Sequence, residues 1–141
     1  MNAKAVAWQA PQRITFAAGP NAALLTAPDV GLFTADTDYQ IVSATERHET
    51  LGTDGSAVTV DVVKAASGTA MGSGTSLLAT TFDLKATVNT TQSRSLAAGT
   101  LASDKILYEG QCLGLNFAGT MTAVTGVCVT VVLVPIRRPS W

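Results

Sequence analysis

The strongest pattern in the chain is an alternation of side chains near its C-terminal end. Every second residue from position 127 to position 133 is apolar: Val127, Val129, Val131 and Leu133. A two-residue period is typical of a β-strand with one buried face. Because Val132 and Val134 extend the apolar character to the other face, we expect this strand to be covered on both sides.

Similar alternation predicts several strands upstream. The apolar sets are Val58, Val60 and Val62 in one segment, and Leu113, Leu115 and Phe117 in another. In the segment 39–46 we expect Tyr39, Ile41 and Ser43 to share a face. Glycine-rich turn signals separate these segments at intervals close to the roughly 8–12 residues of sandwiches and barrels. The chain is therefore predicted to be all-β.

The first 35 residues show no clear period. Pro11, Pro20 and Pro28 exclude a helix longer than two turns. The scattered apolar residues here need a neighbour for burial, so we predict an extended N-terminal arm, with one strand near Arg13–Ala17, that lies over its own sandwich or on another protein. The predicted organisation is an arm over 1–35, a β-sandwich over 36–135 and a C-terminal tail over 136–141.

Charged residues make up only 13% of the chain, against about 25% in an average soluble domain. A weakly charged surface loses little hydration when it is covered, which favours self-association. The net charge of −1 predicts no nucleic-acid binding. No apolar run approaches the roughly 20 residues of a membrane span. The first residues also lack the apolar core of a secretory signal, so we expect synthesis in a cytoplasm.

Candidate catalytic chemistry is sparse. His48 is the only histidine, and no motif indicates that Ser43 or Cys112 forms a nucleophilic dyad with it. We expect His48 to be a solvent-facing or interface hydrogen-bonding residue. One histidine with the separated Cys112 and Cys128 does not have zinc-site spacing. We therefore predict that the protein is not an enzyme and uses no metal and no cofactor.

A series of turn and strand positions follows a recognisable order. These positions are Tyr39–Glu46, His48-Glu49-Thr50, Gly52-Thr53-Asp54-Gly55, Val58–Val62, Gly74-Thr75-Ser76-Leu77-Leu78, Asp83-Leu84-Lys85, Asn89-Thr90, Gly110, Leu113-Gly114-Leu115, Phe117, Gly119 and Gly126–Val131. In this order the chain resembles the small jelly-roll decoration, or cement, proteins on the capsids of tailed bacteriophages. The resemblance spans residues 36–135 and carries no catalytic residues.

The resemblance implies an eight-stranded jelly roll that forms a homotrimer at the local three-fold positions of an icosahedral capsid. There it would bind the major capsid protein on the outer surface and stabilise the shell, so the virion is the expected location. The alternative is the trimeric head of a phage fibre or knob that binds a host receptor or polysaccharide, since such a head shares sandwich architecture and trimeric state.

The arm and the tail lie outside the resemblance, and we predict that they contact the capsid or an adjacent trimer. The candidate partner-binding residues are the aromatic, aliphatic and cationic residues of these segments: Trp8, Ile14, Phe16, Leu24, Leu25, Arg137, Arg138 and Trp141. Deletion of residues 1–30 is then expected to abolish capsid binding and to leave the sandwich folded.

Overall fold

The computed structural model describes residues 10–17, 29–97 and 105–136. Within these ranges the chain forms ten β-strands and one 3-10 helix. The strands are β1 (Gln12–Ala17), β2 (Asp29–Thr34), β3 (Tyr39–Arg47), β4 (Thr59–Ala65), β5 (Thr75–Ser76), β6 (Phe82–Asp83), β7 (Gln92–Arg94), β8 (Ile106–Leu107), β9 (Cys112–Ala118) and β10 (Cys128–Pro135), and the 3-10 helix is Met71–Ser73.

The strands form two antiparallel sheets that pack as a sandwich. The first sheet has the order β1-β10-β3-β7, with β8 also paired to β3. The second has the order β2-β9-β4-β5, with β6 also paired to β4. The first four strands alternate between the two sheets, and the strand order is consistent with a jelly roll. The prediction of an all-β sandwich is confirmed.

The core lies between the two sheets and is built from the alternating residues that the sequence analysis assigned to it. The inward sets of β10, β4 and β9 are all buried: Val129, Val131, Leu133, Val60, Val62, Leu113, Leu115 and Phe117. Burial of each such side chain stabilises the fold by about 1.5–3 kcal/mol relative to exposure. In these three strands, the alternation of apolar residues correctly predicted which side chains face the core.

Strand β3 departs from simple alternation because it contains a β-bulge. Its pairing with β10 steps from Leu133↔Ile41 directly to Val132↔Ser43, so Val42 has no counterpart on the partner strand. One extra residue shifts the side-chain phase of everything that follows. The prediction that Ser43 shares a face with Tyr39 and Ile41 is therefore wrong.

The phase shift also decides which residues of β3 enter the core after the bulge. Ala44 and Glu46 are buried, whereas Ser43 and Thr45 are half-buried and Arg47 is exposed. His48, directly after the strand, continues the inward set and is fully buried.

The described parts of the N-terminal 35 residues belong to the two sheets. β1 pairs with β10 along its whole length, and β2 pairs with β9. The strand predicted near Arg13–Ala17 is confirmed, and the sandwich begins N-terminal to residue 36. The remaining predicted arm and tail residues, 1–9, 18–28 and 137–141, lie outside the described residues.

This placement changes the expected result of truncation. Deletion of residues 1–30 removes β1 and the first two residues of β2, so β10 loses a neighbouring strand and its core residues lose cover. We expect this variant to lose cooperative unfolding or to melt well below the full chain. Deletion of residues 1–9 keeps all ten strands and is the matched control. Thermal unfolding followed by circular dichroism measures both, and equal melting temperatures would contradict the structural role of β1.

Candidate functional site

The outward surface of the first sheet carries a row of hydroxyl groups across four strands. The register aligns Thr15 of β1 with Thr130 of β10, Thr130 with Thr45 of β3, and Thr45 with Ser93 of β7. The Oγ1 atoms of Thr15 and Thr130 are 3.3 Å apart, within hydrogen-bonding distance. We call the outward side chains of this sheet the threonine face.

The threonine face is weakly charged and partly apolar. Val132 and Val134 of β10 point outward and are half-buried, and the bulged Val42 is 50% exposed. The strand residues that point outward here include two cations, Arg13 and Arg47, and no carboxylate. Few polar groups would have to lose water if another protein covered this surface.

The outward side of the second sheet differs in cover and in charge. The 3-10 helix places Met71 against Gly114 of β9, where a Cβ atom would collide with the methionine sulfur. Two carboxylates, Asp29 of β2 and Asp61 of β4, lie in the same cross-strand row on either side of Asn116 of β9. Burial raises the pKa of the Asp61 carboxyl, which accepts a hydrogen bond from Ser76 Oγ at 2.8 Å. The chain itself therefore partly covers this face.

Two of the eight sequence-predicted partner-binding residues lie in the described part of the chain, and both point inward. Ile14 and Phe16 of β1 are half-buried and pack against the core, and the Phe16 ring lies 6.1 Å from the Phe117 ring. Their partner-binding role stays a prediction, which this packing does not favour. The outward residues of β1 are Arg13, Thr15 and Ala17.

The other six predicted partner-binding residues lie outside the described residues. They are Trp8, Leu24, Leu25, Arg137, Arg138 and Trp141.

His48 was expected to face solvent or an interface, and this expectation is wrong. Its side chain is fully buried, with Nδ1 3.0 Å from Glu46 Oε1 and Nε2 3.2 Å from the Ala86 carbonyl oxygen. Both ring nitrogens are thus occupied by partners other than Ser43 or Cys112. The phase shift at the bulge explains the burial, because it turns Glu46 and His48 toward the core.

The two cysteines lie in different sheets, Cys128 on the threonine face and Cys112 on the outward side of the second sheet. Both are free thiols and half-buried. Across residues 10–17, 29–97 and 105–136, no three His, Cys, Asp or Glu side chains cluster as metal ligands. Within the same ranges no helix has the length and apolarity to cross a membrane.

The chain was compared with protein-family models, curated proteins and solved structures. No protein-family model matches the chain, and no curated protein matches it by sequence. Among solved structures, the chain is similar to a chain of the capsid asymmetric unit of cyanophage Pam1, with a TM-score of 0.51 and 12% sequence identity. The likeness covers 90% of this chain and 84% of that one. At this identity it shows a shared fold.

The sequence analysis did not identify the threonine face, although part of its signal was present. The second set of the β10 alternation, with Thr130, Val132 and Val134, was recognised as unusually apolar and expected to be covered. Within the described residues these side chains remain half-buried. Their alignment with Thr15 and Thr45 depends on strand register, which no local pattern specifies.

The opposite orientations of Phe16 and Thr15 in β1 can be tested by substitution. Phe16→Ala removes a ring that packs on the core and should lower the free energy of unfolding by about 2–3 kcal/mol. Thr15→Ala, the adjacent outward position, should change it by about 0.5 kcal/mol or less. Urea denaturation of both variants measures the difference. Equal losses would mean that β1 does not present these residues to opposite sides.

Proposed function

We propose that the protein is a virion structural protein, a trimeric cement protein that binds the outer surface of an icosahedral phage capsid and stabilises it. The observation that carries this proposal is the fold likeness to a chain of a phage capsid asymmetric unit. Because the likeness covers most of both chains, it concerns one small protein as a whole and not one domain of a much longer subunit. The major capsid protein is the proposed partner.

The threonine face supports the trimeric part of the proposal. Its hydroxyl groups can hydrogen-bond to another copy, and Val132 and Val134 supply apolar surface that the described part of the chain leaves half-exposed. We assign this face to contacts between copies. Three linked copies bind a repeating shell more tightly than one, because each later contact forms within an already tethered assembly.

A role without catalysis is part of the same proposal. The single histidine is buried, and its ring contacts a carboxyl group and a backbone carbonyl. A general base has to reach a substrate proton at hydrogen-bonding distance. His48 is fully enclosed and is not placed to do so. We therefore interpret the Glu46–His48 pair as part of the fold and not as an active site.

The oligomeric state is the first prediction. Light scattering on a sizing column should give about 43 kDa, three times the 14.5 kDa chain, since the proposal requires a closed trimer. Dilution should not reduce the mass while the protein remains in the micromolar range. A stable single-chain mass would contradict the trimer, and with it the basis for assigning the threonine face to copy–copy contacts.

The threonine face can be tested with two charge-adding substitutions. Thr130→Glu places a carboxylate in the centre of the face, close to the rows of Arg13 and Arg47. Thr59→Lys is the control: Thr59 is a half-buried outward residue of the second sheet and pairs with Asp83. Each new charge has opposite charges near it, so both variants should keep the monomer fold. Covering a charged carboxylate at an interface costs its hydration even when cations lie nearby, so only Thr130→Glu should lose the trimer mass.

Co-sedimentation with capsids of the encoding phage separates the parts of the proposal. Thr59→Lys should pellet with capsids like the unsubstituted protein, and Thr130→Glu should stay largely in the supernatant. If Thr130→Glu remains trimeric and fails only to pellet, the threonine face contacts the capsid and not another copy. If the unsubstituted protein does not pellet while purified polysaccharide retains it, the fibre-head function is favoured instead.

A further inference from the structure

Glu46 and His48 form a buried polar pair at the end of β3. Glu46 is 1% exposed and His48 is 0% exposed. The second carboxyl oxygen of Glu46, Oε2, accepts a hydrogen bond from Gln92 Nε2 at 2.7 Å. Among the described residues, every buried side-chain nitrogen or oxygen has a hydrogen-bond partner. Each polar side-chain atom of the pair therefore has a hydrogen-bond partner in the interior. These partners restrict which atoms of the pair can carry a hydrogen.

The geometry limits where protons can reside. A backbone carbonyl only accepts hydrogen bonds, so His48 Nε2, 3.2 Å from Ala86 O, must carry a hydrogen. The other ring nitrogen, Nδ1, faces Glu46 Oε1 at 3.0 Å. That contact is favourable only with a hydrogen between the two atoms, held by either the carboxyl or the ring. With none, two lone pairs would face each other in the buried interior.

We propose that Glu46 and His48 hold one shared proton and that this proton fastens the loop of residues 84–91 to the end of β3. Two of the hydrogen bonds that hold the loop involve His48. The Ala86 carbonyl accepts from the histidine ring, and the Asn89 N–H donates to the His48 carbonyl oxygen at 2.8 Å. Loss of the shared proton weakens the first attachment and, through the position of His48, the second.

The groups around the pair come from two further strands, β6 and β7. From β7, Gln92 donates to Glu46, and Arg94 Nη2 donates to Gln92 Oε1 at 2.9 Å. Arg94 also lies over the Phe82 ring of β6, 5.7 Å from its centroid. From the neighbouring Asp83, the backbone carbonyl accepts from Gln92. Arg94 is thus the cation that faces the pair.

Burial raises the pKa of the Glu46 carboxyl, and His48, Gln92 and Arg94 oppose this shift without cancelling it. The folded chain therefore retains a proton that the unfolded chain releases. The contribution of this proton to stability is complete below the ordinary pKa of glutamate, and it is lost as the pH rises through the folded-state value. This contribution to stability should consequently decrease as the pH rises.

Glu46→Gln is the variant that isolates this proton. The amide nitrogen of the new side chain can donate to His48 Nδ1, and its oxygen can accept from Gln92 Nε2. The variant therefore reproduces the protonated carboxyl and leaves no titratable group at position 46. As the pH is raised above the ordinary pKa range of glutamate, the urea midpoint of the unsubstituted protein should fall relative to that of Glu46→Gln. Both chains keep the same cysteines and amino terminus. Parallel curves would overturn the proposal.

Ring-nitrogen NMR of the unsubstituted protein tests the same proton without any substitution. His48 is the only histidine, so its signals are unambiguous. Nε2 should keep its hydrogen throughout, and the Nδ1 signal should move together with the fall in the urea midpoint. An Nε2 that loses its hydrogen in the folded protein would overturn the proposed arrangement, even if Glu46→Gln failed to fold.

Hydrogen exchange tests the attachment of the loop. The protection of the Asn89 amide should decrease with rising pH relative to the Val124 amide, a control whose N–H donates to Met121 O at 3.0 Å. In Glu46→Gln the ratio of the two protection factors should stay constant. A constant ratio in the unsubstituted protein would show that the proton does not fasten the loop.

Discussion

The β-bulge at Val42 is the constraint on which the two main features of this molecule depend. With regular alternation, β3 would present Glu46 and His48 outward and Thr45 inward. The extra residue reverses this phase, because side chains in a strand alternate with a period of two. A hydroxyl group thereby joins the outward row of the first sheet, and a carboxyl–imidazole pair enters the core. One unpaired residue thus sets the chemistry of both sides of the strand.

The threonine face and the buried Glu46–His48 pair both contact the loop of residues 84–91. Arg47, an outward cation of the threonine face, donates to Asn89 Oδ1 at 3.2 Å, and the next residue, His48, accepts from the Asn89 backbone. The loop of residues 84–91 is therefore held by consecutive residues that point to opposite sides of the sheet. These two hydrogen bonds join the interior pair, through Asn89, to a cation on the outward surface.

The scarcity of charge has a structural explanation in the two outward faces. The threonine face uses hydroxyl and β-branched side chains in place of the usual charged ones, and Val132 and Val134 would be unfavourable there if the surface stayed in water. On the second sheet the chain covers part of the corresponding surface with Met71. A sandwich with one outward face partly covered by its own chain and the other left weakly charged is well suited to assembly. Surface composition and the fold likeness therefore support the same proposal.

The sequence by itself determined the fold class and the core. The alternations in β4, β9 and β10 fixed which side chains are buried, because apolar residues at every second position leave a strand one favourable orientation. It also indicated that the outward side of β10 needs cover. Only the tertiary structure decided the bulge in β3, the burial of His48, and the inclusion of β1 and β2 in the sheets. These depend on register and pairing between residues far apart in the chain, and no local pattern carries that information, so Phe16 could be recognised as apolar but not assigned to the core.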